Sequence, residues 1–140
     1  MSETGNTTTS QMSQHALGLR FLSRAQAELA QMRACLPTDP IALDLPAVEQ
    51  VERVAHKMSG EAEAFGFPEI SAIAAAIELM ASGGAARTLR ERIELFTRLV
   101  EQMSALEIYV EFELAEHTVQ EAAEGLPMST HLAALGSRQK

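Results

Sequence analysis

Residues 51–60, Val-Glu-Arg-Val-Ala-His-Lys-Met-Ser-Gly, contain the side chain of this chain that is hardest to account for as structure, His56. Imidazole has an ordinary pKa of about 6.5, so an accessible histidine is a neutral nucleophile near physiological pH. Val48, Val51, Ala55, Met58, Ala62 and Phe65 follow one another at spacings of three or four, an apolar stripe of about five helical turns. His56 lies one residue off that stripe, rotated by roughly 100°, so its ring is predicted to face water. Its neighbours one turn away are Glu52, Ser59 and Gly60. Gly60 falls in mid-helix, where glycine costs about 1 kcal/mol relative to alanine. A lone surface histidine and a lone helical glycine are each more often bland than functional. Four residues apart on one face, they describe an imidazole with open space beside it.

The helix that positions His56 is bounded by clear signals. Asp44 or Leu45 leads into it, and Pro46 is harmless in a first turn because its missing N–H has no partner there anyway. Gly66 is a good stop, since glycine takes the left-handed conformation cheaply. Pro68 opens the next helix, with Ile70, Ile73, Ile77 and Met80 as its stripe and Ser82-Gly83-Gly84 as its end. A first helix is predicted from about His15 to Leu36, with Leu17, Phe21, Ala25, Leu29, Met32 and Leu36 inward. A linker rich in proline (Pro37, Pro40, Pro46) follows it. A long last helix is predicted from about Ala85 to Ala115, with Leu89, Ile93, Phe96, Val100, Met103, Leu106 and Val110 as its spine.

The expected fold is therefore all-α, an up-and-down antiparallel four-helix bundle with an amphipathic N-terminal helix and loose termini. Residues 1–12 read as a disordered leader, 13–120 as the bundle, and 121–140 as a flexible tail in which Leu132 to Leu135 forms at most a short turn. Strand signals are missing.

The string His56-Lys57-Met58-Ser59-Gly60, followed by Phe65-Gly66-Phe67-Pro68-Glu69-Ile70, resembles the signature of histidine-containing phosphotransfer (HPt) domains, the carrier modules of bacterial two-component phosphorelays. The resemblance is strong over roughly residues 47–82; elsewhere the chain is similar only in having amphipathic helices. It implies that Nε2 of His56 accepts a phosphoryl group from the aspartyl phosphate of a response-regulator receiver domain and passes it to another receiver. Lys57, Ser59, Gly60 and Glu63 then form the phosphate environment and docking face. A hybrid histidine kinase is a further candidate partner. The resemblance implies no cofactor on this chain, because the Mg²⁺ belongs to the receiver. The rival reading is a non-catalytic module that binds receivers or a kinase without carrying phosphate. Two departures stand out. Ser59 occupies the position where the family usually has lysine, leaving Lys57 as the nearest cation, and Glu61 and Glu63 replace residues that are commonly small and neutral.

Bulk properties narrow the alternatives. A chain of 140 residues is long enough for one buried core. Its net charge of −8 argues against a nucleic-acid partner, which needs a basic face. Cys35, the single cysteine, cannot make an internal disulfide or a thiolate cluster, and it fits a reducing cytoplasm. The longest apolar run, near Ala72 to Ala81, is interrupted by Glu78 and falls short of the about 20 residues that span a bilayer. His15, His117 and His131 with Glu113 and Glu116 show no paired ligand motif, so no metal is expected. Glu107, Glu111 and Glu113 read as a solvated face. No glycine-rich phosphate loop, nucleophile elbow or nucleotide fingerprint occurs, which excludes a kinase with its own nucleotide site. A cytoplasmic monomer is expected.

Overall fold

The computed structural model describes residues 2–83 and 88–125. Four helices, α1 (Ser2–Cys35), α2 (Leu45–Ala64), α3 (Pro68–Ala81) and α4 (Leu89–Gly125), pack in a ring in which each touches the next and α1 closes on α4. Short connections make successive helices antiparallel, and α2 and α4 lie diagonally across the bundle. There is no strand among the described residues. The expected four-helix bundle is the observed one.

Local chemistry sets the helix ends. Asp44 caps α2, its carboxylate accepting from the Ala47 N–H at 3.0 Å. At the other end Gly66 has φ of 85°. The Phe67 N–H donates to the Ala62 carbonyl at 2.8 Å and the Gly66 N–H to that of Glu63 at 3.2 Å, which is a Schellman closure. Only glycine adopts this backbone without strain, as the sequence predicts. The linker tightens into a 3-10 turn at Pro40–Ala42, and the Arg92 guanidinium ties it to α4 by donating to the Ile41 carbonyl at 3.1 Å.

The ends of the outer helices differ from expectation. α4 starts at Leu89 because Thr88 and Glu91 form a reciprocal capping box: the Glu91 N–H donates to Thr88 Oγ1 at 3.2 Å and the Thr88 N–H to Glu91 Oε1 at 3.0 Å. It continues past Ala115 to Gly125. α1 reaches back to Ser2 through the segment read as a leader, whose Ser, Thr, Gly and Asn residues carry no apolar period that would mark it. The tail from residue 126 onward, with Leu132 to Leu135, lies outside the described residues, as does the start at Ala85.

The core follows the predicted stripe of α2 and most of that of α1, whereas on α3 Ile70 and Ile77 are buried as predicted but Ala74 and Ala81 take the inward places beside a half-buried Ile73 and Met80. Val48, Val51, Ala55, Met58 and Ala62 are all fully buried, with Phe65 at the margin. In the first half of α4 the register is corrected. Leu95 and Leu99 face the core, Phe96 and Val100 are half-buried, and Leu89 and Ile93 are exposed. Adjacent apolar pairs at 95–96 and 99–100 give two competing stripes one residue apart, and periodicity alone does not choose between them. Leu17, predicted inward, is likewise exposed, while Gly18 is buried beneath the Phe67 ring.

Five rings form a continuous column at the end of the bundle that contains the α2–α3 corner, stacked except for a Phe67–His117 step tilted by 57°. Phe65, Phe21, Phe67, His117 and His15 follow one another at centroid distances of 5.6, 5.7, 5.3 and 5.4 Å. Such pairs add about 0.5–1.5 kcal/mol each beyond the area they bury. The column joins α1, α4 and both sides of Gly66.

Candidate functional site

His56 projects from the middle of α2 with its side chain 76% exposed, as its place off the stripe predicts. Glu78, on α3, comes to meet it: its Oε2 lies 2.7 Å from His56 Nδ1. The reach is possible because the inward face of α3 is built partly of small residues, Ala74 and Ala81, and interaxial distance depends on the side chains at the contact. A carboxylate at Nδ1 accepts the proton held there, which leaves Nε2 as the ring nitrogen with the lone pair.

One turn further along α2, Ser59 is turned into the α2–α3 seam. Its hydroxyl donates to the Ser71 carbonyl at 3.2 Å, and the Ser71 hydroxyl donates to the Ser59 carbonyl at 2.9 Å. This reciprocal pair fixes the register of the two helices beside His56. Gly60 is exposed, and a Cβ added there would meet nothing within 4 Å. The open space expected beside the imidazole is present.

The charged neighbours divide between two sides of α2. Lys57 Nζ lies 3.3 Å from Glu28 Oε2 on α1, and Glu61 Oε2 lies 3.1 Å from the Arg24 guanidinium, also on α1. Together they form an antiparallel ladder, 24 to 61 and 28 to 57, that closes the α1–α2 seam. Lys57 is thus directed away from the Glu78 side of His56. Glu63 is exposed, two turns beyond His56. The structure therefore brings Gly60 and Glu78 to the imidazole, ties Ser59 to α3, and ties Lys57 to α1.

Glu78 is the residue that sequence reasoning missed. Its signal was available: His56 is ten residues before Gly66 and Glu78 twelve after it, and positions nearly equidistant from the corner of an antiparallel helical hairpin lie side by side. Ser59 and Ser71 obey the same arithmetic.

His15 and His117 stack with an interplanar angle of 15°. Imidazole lone pairs lie in the ring plane, so two nearly parallel rings do not converge on one ion. No group of three or more His, Cys, Asp or Glu suited to a metal occurs among the described residues. No helix there is long and apolar enough to cross a membrane.

Residues 19–108, well over half of the chain, match the family model for the Hpt domain, and the chain belongs to that family. Neither the curated proteins nor the solved structures contain a match.

Proposed function

We propose that this chain is a phosphorelay carrier acting between response-regulator receiver domains, with His56 as its phosphoryl acceptor. The observation that carries this reading is the pairing of an imidazole 76% exposed with a carboxylate 2.7 Å from its Nδ1. In the forward step the Nε2 lone pair attacks the phosphorus of a receiver's aspartyl phosphate. The N–P bond forms as the acyl P–O bond breaks, and the aspartate leaves as carboxylate. The ring gains positive charge, which Glu78 offsets from the Nδ1 side. Transfer to a second receiver is the same step reversed. Open space at Gly60 admits the docked receiver and the phosphoryl group, and the Mg²⁺ that screens the phosphate belongs to the receiver. Glu63, about 10 Å from His56 by helical rise, adds a screened negative charge that disfavours acidic partners.

One observation favours the rival reading, a module that binds receivers without carrying phosphate. Ser59 stands where the family usually has lysine, and its hydroxyl is used by Ser71. The two readings part in a single experiment. Incubation with a phosphorylated receiver is expected to place acid-labile, alkali-stable phosphate on the wild type and none on His56→Gln, with equal helicity. Receiver binding without any such phosphate on the wild type selects the rival; undiminished phosphate on His56→Gln removes His56 as acceptor.

A further inference from the structure

α4 carries a second apolar stripe on the face turned away from the core. Ala105, Ile108, Phe112, Ala115, Val119 and Ala122 are spaced three, four, three, four and three residues apart, the a/d repeat of a coiled-coil seam. Ile108, Phe112 and Val119 are 66%, 57% and 68% exposed, whereas Met103, Leu106 and Val110 of the same helix are buried. Phe112 lies about 160° around the helix from Val110, and the stripe runs for about 25 Å. Contiguous exposed apolar surface of this kind marks an interaction site more often than scattered single residues do. Because α2 lies diagonally across the bundle from α4, a partner seated here leaves His56 open.

We propose that this stripe docks an amphipathic helix of a partner protein, one with apolar residues at its own a and d positions and lysine or arginine at the flanking e and g positions. The flanks decide the partner. Glu111 stands at a g position and Glu116 at the following e position, and both are exposed. In a parallel pair the g residue of one helix faces the next e residue of the other, so two copies of this chain would set Glu111 against Glu116. In an antiparallel pair g faces g and e faces e, and glutamate again meets glutamate. The net charge of −8 adds to that repulsion. A basic-flanked helix converts the same positions into attraction. Ala115, exposed and smaller than Phe112 and Val119 on either side of it, leaves room along the stripe for a larger partner side chain, in the manner of a knob entering a hole.

The test uses the full-length protein and two synthetic three-heptad peptides, both with leucine at a and d, one with lysine and the other with glutamate at e and g. Fluorescence anisotropy is expected to show the lysine peptide binding at least about tenfold tighter at low salt, with the advantage shrinking as salt rises. Ile108→Ser and Phe112→Ser should each weaken the lysine peptide by about tenfold, as loss of a central apolar anchor does. Both variants should keep the helicity of the wild type, and His56 phosphorylation should not change. Equal binding of the two peptides, or binding indifferent to both variants, overturns the proposal. A concentration-dependent dimer that Phe112→Ser dissolves would assign the stripe to a second copy. NMR signals from residues 126–140 that move in Phe112→Ser would assign it to the chain's own C-terminal segment. Either result also overturns it.

Discussion

Glu78 on α3 holds the imidazole of His56 on α2 by a contact of 2.7 Å between Oε2 and Nδ1. The orientation of the imidazole is therefore set from the neighbouring helix, by a residue 22 positions away in sequence.

Removing that carboxylate is expected to slow phosphorylation of His56 without unfolding the bundle. Glu78→Leu loses both charge and acceptor, and a hydrogen bond of this exposure is worth about 1 kcal/mol, or about fivefold in rate. Glu78→Gln keeps an acceptor oxygen and should recover part of the rate. Single-turnover transfer from a phosphorylated receiver measures both. A Gln variant as slow as the Leu variant would show that charge alone matters, and wild-type rates in both would remove Glu78 from the site.

Gly60 separates docking from folding. A methyl group there meets nothing within 4 Å, so Gly60→Ala should raise stability by up to about 1 kcal/mol through helix propensity alone. Gly60→Gln fills the same space with a side chain that a docked receiver must displace, and it should fold normally while transferring slowly. Denaturant melts and transfer rates on the two variants check the separation.

Lys57 should act on stability more than on transfer. Its ammonium pairs with Glu28, whose side chain is only 14% exposed. Lys57→Ala leaves that largely buried carboxylate unpaired, at a cost of about 1 kcal/mol, part of which solvent screening at the exposed ammonium removes. Ser59→Lys instead places a cation one turn from His56 and is expected to speed transfer, although it gives up the bonds to Ser71. A Lys57→Ala variant that melts like wild type yet transfers slowly would return Lys57 to the phosphate environment.

The corner after α2 should be intolerant of change. Gly66→Ala forces a Cβ into the left-handed region at φ of 85° and should cost about 1–2 kcal/mol. Phe67→Ala empties a residue 4% exposed and should cost about 3–5 kcal/mol. Urea midpoints give both values. A Gly66→Ala variant as stable as wild type would mean the Schellman closure relaxes without penalty.

Much of this arrangement was legible in the residues alone. The stripe from Val48 to Met58 places His56 outward because period and burial coincide there, and Gly66 and Pro68 punctuate the hairpin through backbone chemistry that needs no tertiary information. The register of early α4 was not legible, since Leu95 and Phe96 are both apolar and only packing against α3 and α1 chooses between them. Glu78 was hidden for a related reason. On α3 it merely interrupts an apolar run, and its meaning appears only when α3 folds back beside α2. Lys57 likewise reads as a site charge, and Glu61 only as a departure from the family pattern, until α1 supplies Glu28 and Arg24.

The column of five rings has a consequence for how the molecule breathes. Phe65 and Phe67 flank Gly66, and both stack on Phe21, so the corner that ends the His56 helix is clamped to α1. His117 and His15 close the other end of the column, both half-buried. Opening at the Gly66 corner has to part these ring contacts as well as helix hydrogen bonds, so motion elsewhere in α1 and α4 can proceed while the α2–α3 hairpin, and with it the geometry of His56 and Glu78, stays intact.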